Sequence, residues 1–133
     1  MAIKKVSRII SAPIAGYVVI VIGALLFQDA LFGRVTHDSS WVAISIGGGL
    51  TALACVLAGY VVGWIAPTRP VLAALPLLVW LAIETTLIHL RGMSPIWFDV
   101  AAGGSNIVGV VCGLVIWTLQ SRQGEGLNED IAQ

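Results

Sequence analysis

Four long apolar stretches, separated by short polar interruptions, set the pattern of this chain. They run over about 9–32, 41–66, 71–90 and 97–119. Each is close to the length of about 20 mostly apolar residues that carries a helix across bilayer hydrocarbon. Backbone N–H and C=O groups find no water there, so each span must bond within itself, which predicts helices. The apolar runs do not alternate as barrel strands do, and so few strands would not close. The interruptions agree. Residues 33–40 hold Arg34, His37, Asp38, Ser39 and Ser40; Pro67, Thr68, Arg69 and Pro70 form a corner. Pro70 suits the first turn of a helix. Residues 91–95 form a short loop with Gly92, Ser94 and Pro95. Short connections make successive helices antiparallel neighbours. The predicted fold is an all-α membrane protein: a four-transmembrane-helix bundle over residues 1–120, then a polar cytoplasmic tail over 121–133. The tail carries Glu125, Glu129 and Asp130 and is expected to fray.

Lys and Arg set the expected direction. Lys4, Lys5, Arg8, Arg69 and Arg122 fall on one side of the predicted bundle, Arg34 and Arg91 on the other. The positive-inside rule then predicts both termini in the cytoplasm, in a bacterial inner (plasma) membrane. Trp41, Trp64, Trp97 and Trp117 fall near span ends, where interfacial anchors belong. The basic start and first apolar run also match the opening of a secretory signal. The run exceeds the usual length, however, and no clear Ala-x-Ala site follows, so it is read as a span.

Composition strengthens the membrane reading. Hydrophobic residues make up 58% of the 133 and charged residues 11%, and mean hydropathy is +0.96. Soluble domains have about 25% charged residues, and a chain this short leaves much of its surface outside any core. Net charge is zero, so no basic face points to nucleic acid. The two cysteines, Cys55 and Cys112, form neither a disulfide framework nor a zinc site and read as small packing residues.

Small residues recur at helical spacing. The second span carries Gly48, Ala52, Cys55, Gly59 and Gly63; the fourth carries Ala102, Asn106, Gly109 and Gly113; the first carries Ala12, Gly16 and Gly23. Gly59–Gly63 and Gly109–Gly113 are GxxxG pairs. In lipid, such stripes let helix backbones approach. They could serve the bundle itself or a partner, and two long stripes exceed what one small bundle must use. An offset of 56 residues also lays Trp41 on Trp97, Gly47 on Gly103, Gly48 on Gly104 and Gln28 on Glu84. Two readings stand: a parallel repeat of two helical hairpins, of a kind found in transporters, or chance.

An ionisable side chain inside a span is a functional candidate by default. Glu84 falls roughly 9 Å below the outer end of the third span, and Asn106 roughly 14 Å below the same side of the fourth. Thr51 shares nearly that depth on the second span, and Thr85 adjoins Glu84. With Asp29, His89, Arg91 and Asp99 at the mouth, the polar side chains share the outer half, above an almost wholly aliphatic inner half. This pattern predicts an outward pocket or polar contact layer around Glu84, Asn106, Thr51 and Thr85. Glu84 would bind a proton or cation there, or serve structure through Asn106, Thr51, Arg91 or His89. His89, Asp99 and Asp29 also read as ordinary exposed residues near an interface.

Other chemistry is missing from the sequence. It has no HExxH, CxxC, Walker loop or GxGxxG, and its two histidines are poorly placed for haem. An enzyme is not expected, nor a cofactor or metal. The leading expectation is a helix-packing subunit of a homo-oligomer or larger membrane complex, with the lipid bilayer as its solvent. The alternative is a minimal oligomeric transporter or channel using Glu84 and Asn106, and a third reading is a holin-like pore former.

Overall fold

A computed structural model describes the backbone of residues 2–31, 33, 35–92 and 94–131, and the side chains of 6–27, 31, 33, 35–92 and 94–123. The described residues form four α-helices and no strand: α1 (Ala2–Ala24), α2 (Trp41–Ile65), α3 (Pro70–Leu90) and α4 (Ile96–Ile131). A π-helical stretch, Leu25–Ala30, continues α1. All four helices are long and apolar enough to cross a membrane, over Val6–Phe27, Trp41–Ile65, Pro70–Leu90 and Ile96–Gln123. Large apolar side chains cover their outward faces, among them Trp64, Leu90, Val108 and Leu119. Helices apolar all round belong in lipid or in the core of a much larger protein, so the architecture is that of a multi-pass membrane protein.

Local chemistry fixes the helix ends. The Ser40 hydroxyl accepts from the Ala43 N–H at 3.2 Å and caps α2. Pro70 occupies the first turn of α3, where its missing N–H costs nothing. Gly92 follows α3 at φ +63° and its N–H returns to the His89 carbonyl at 2.9 Å. Such a left-handed stop favours glycine. The last helix does not end at Leu119. Its backbone continues to Ile131, so the helix runs through most of the segment read as a fraying tail.

Around the bundle the order is α1, α2, α4, α3; α1 and α4 make no close approach among the described residues. The connections at residues 31–40 and 91–95 define an upper end, and the turn 66–69 defines the lower end. The α2–α4 interface is the most extensive. The two helices run in the same direction, because Gly109 meets Ala52 and Cys55, Gly113 meets Val56 and Tyr60, and Gly63 meets Trp117. A methyl group on Gly59 would run into the Val110 carbonyl, and one on Gly113 into the Val56 carbonyl. These glycines are therefore engaged inside the bundle. Gly16 and Gly23 do the same for α1, against Val62 with Leu77 and against Ala54.

The core lies in the lower half. Ala12, Cys55, Ala58, Val62, Ala73, Ala74, Leu77 and Val110 are buried there in one cluster. Two sequence expectations change. Gly48 does not pack: a Cβ on it would meet nothing within 4 Å. Cys112 does not pack either; it is exposed, while Cys55 is buried. Cys112 is turned outward, whereas Gly48 borders a space where α2 and α4 have parted.

Candidate functional site

Above the core the helices part around a cavity of about 540 Å³. All four helices contribute. Tyr17, Ile20, Val21 and Ala24 come from α1, and Ile44, Gly48, Gly49, Thr51 and Ala52 from α2. Glu84, Thr85 and Ile88 come from α3, and Trp97, Phe98, Asp99, Ala101, Ala102, Gly103, Ser105 and Asn106 from α4, with Val35 and Ser94 from the connections. Thus Glu84, Asn106, Thr51 and Thr85, drawn from three helices, line one space.

Helix register aims them. On α3, Leu81 is buried in the core one turn below Glu84, and Thr85 presses against Gly103 of α4. A methyl on Gly103 would collide with Thr85, so this glycine sets the α3–α4 separation at the level of Glu84. On α4, Asn106 stands three residues from Gly103, which faces α3, and three from Gly109, which faces α2. Residues three or four apart share a face, so Asn106 sits between the two contacts and borders the cavity.

The polar partners differ from residue to residue. The buried Thr51 hydroxyl donates to the Gly47 carbonyl at 2.9 Å. The Thr85 and Thr86 hydroxyls donate to the Leu81 and Ala82 carbonyls, each at 2.8 Å. These bonds stay within single helices. Glu84 and Asn106 are half-buried, and neither makes a hydrogen bond or ion pair among the described residues. None of the structural partners expected for Glu84 engages it there.

The mouth is built differently from its expectation. Asp99 is buried, not an exposed interfacial residue. One carboxylate oxygen lies 3.0 Å from His89 Nδ1, and the other accepts from the Ser94 hydroxyl. The cluster ties the end of α3, its following loop and the first turn of α4 together. An acidic residue there also suits the positive end of the helix dipole. His89 is exposed and outside the cavity lining, and so is Arg91, which forms no ion pair among the described residues. The side chains of Asp29 and Gln28, like those of Lys4, Lys5 and Arg34, lie outside the described residues.

Sequence reasoning missed the aromatic lining. Trp97 and Trp41, read as anchors, stack at 6.0 Å and 27° across the tops of α4 and α2. Phe98 meets Trp97 edge-on at 5.6 Å, and Tyr17 meets Trp80 edge-on at 6.2 Å beside the lower cavity. The signal available was the shared start of two parallel helices at Trp41 and Trp97, which the 56-residue offset contains. Trp64 stays exposed at the lower end, whereas Trp117 covers Gly63.

Chemically, the cavity offers an apolar and aromatic wall, an amide, one carboxylate already satisfied at Asp99 and one with open acceptor capacity at Glu84. No Lys or Arg lines it among the described residues, and no group of three His, Cys, Asp or Glu there could hold a metal ion. No family model, no curated protein and no solved structure matches the chain, so any functional reading stands on this geometry.

Proposed function

We propose that the chain is a minimal transporter or channel of a bacterial inner membrane, with both termini cytoplasmic and the cavity opening outward. The observation that carries this reading is the gathering of Glu84 and Asn106 at one cavity, with Glu84 lacking a partner among the described residues. A carboxylate held in lipid for structure alone would be expected to have a partner. The Lys and Arg distribution supports the orientation. The two hairpins, α1–α2 and α3–α4, are proposed to be copies. In support, Gly47 and Gly103 are both buried, while Gly48 and Gly104 both face open space.

The test is flux through proteoliposomes, using protons, an alkali-metal ion and quaternary ammonium ions in turn. At least one should move, and Glu84→Gln should slow it about tenfold or more, the effect of losing about 1.4 kcal/mol of binding. The variant should melt like the parent. Equal flux in the variant, or no flux of any ion, would remove the reading.

Assembly with itself or a larger complex is the second reading. Its GxxxG glycines are occupied inside the bundle, so the informative substitution moves to the outer surface. Gly104 is exposed, with no atom within 4 Å of where a methyl would stand, and a second helix could approach it. Gly104→Leu should reduce particle size on a native gel; an unchanged size counts against assembly through this face.

A further inference from the structure

We propose that the cavity takes a lipophilic organic monocation, which reaches it from the lipid side between the upper parts of α2 and α4. The inference rests on the transport reading above and names its substrate class and route.

The lining selects the class. Glu84 is the acid with open acceptor capacity, because both oxygens of Asp99 are engaged by Ser94 and His89. With no Lys or Arg among the described lining residues, Glu84 and Asp99 make the cavity favour positive charge, and the one carboxylate left unengaged there, Glu84, offers a site for a single cation. A small hydrated ion would have to shed its water against walls such as Tyr17, Trp97 and Phe98, which offer few hydrogen bonds. A cation clothed in apolar groups brings no such shell, and aromatic faces attract it further. A cavity of about 540 Å³ falls in the range of drug-sized ligand sites, roughly 300–1,000 Å³.

The seam supplies the route. Below, α2 and α4 touch through Gly59, Gly109 and Gly113. Above, Gly48 and Gly49 have open space where a methyl would stand. Gly49, Ala101 and Ser105 are exposed and also line the cavity. The helices therefore leave a gap there, roofed by the Trp41–Trp97 stack. Gly48 and Ser105 lie about 10–12 Å along their helices from Trp41 and Trp97, which is within the acyl chains of one leaflet.

Binding to the purified protein in nanodiscs tests the inference without requiring flux. The probes are tetraphenylphosphonium, the neutral triphenylphosphine oxide and the hydrophilic tetramethylammonium. Tetraphenylphosphonium should bind best, and Glu84→Gln should weaken it about thirtyfold, as expected on losing a desolvated charge partner. Gly48→Phe, which fills the gap on α2 and leaves the Glu84 carboxylate in place, should weaken it also without lowering the melting temperature. Equal binding of the neutral probe, or tetraphenylphosphonium binding indifferent to both substitutions, overturns the inference. Glu84-dependent binding of tetramethylammonium alone overturns the lipophilic class and leaves the transport reading intact. Binding of no probe overturns this inference, while the flux assay with protons and alkali-metal ions still decides the other.

Discussion

The lower and upper parts of the α2–α4 seam are built from the same residue type and behave in opposite ways. In the lower part, Gly59, Gly109 and Gly113 bring backbone against backbone, and no methyl would fit. In the upper part, Gly48 and Gly49 face a cavity, and a methyl would meet nothing. Close approach in lipid depends on dispersion contacts between backbones, because apolar burial alone does not drive helices together. Where the glycines interlock, the bundle is solid. Where they do not, the helices enclose space, and Glu84 and Asn106 border it. Glycine along a membrane helix thus marks a position where the backbone is bare; the neighbouring helix decides whether that bareness is filled by packing or left as open space.

The contrast breaks most visibly at Gly59. Gly59→Leu should destabilise the bundle by about 3 kcal/mol or more, since overpacking against a backbone carbonyl has no flexible neighbour to yield. The readout is loss of the monodisperse species and a lower unfolding midpoint in detergent; a fold as stable as the parent would deny the tight seam. A smaller drop is expected from Asp99→Asn, which removes the carboxylate shared by His89 and Ser94. Its melting temperature should fall, and cleavage by protease near residues 91–95 should speed up. Protection equal to the parent would show that the cluster does not hold the upper end. The smallest effect has the opposite sign. Gly48→Ala should stabilise by up to about 1 kcal/mol, the usual helix preference for alanine over glycine. A marked loss of stability there would mean that the upper seam is closed.

Much of the site was readable before the fold, for identifiable reasons. Glu84 stands out because an acid is expensive within an apolar run, and Asn106 and Thr51 follow from depth alone, since helical rise converts residue number into height. Height along each span therefore predicted which polar groups share a level. Bearing around each helix was less legible. Gly48 and Cys112 sit at plausible packing positions in sequence, but Gly48 borders the cavity where the helices part and Cys112 is turned outward. Asp99 illustrates a different limit: its burial comes from the loop carrying Ser94 folding over the first turn of α4, an arrangement that no spacing rule contains. The aromatic wall was missed because tryptophan near a span end has an ordinary interfacial explanation, and only the parallel course of α2 and α4 brings Trp41 onto Trp97.

What the sequence determined by itself was four apolar helices, their order and the level of each polar group, because those depend on local composition and a fixed rise per residue. Which helices touch, which glycines interlock and where the cavity opens were decided by the tertiary structure. Those features depend on the rotation of each helix about its axis and on pairing between residues far apart in the chain, and neither is encoded in a single span.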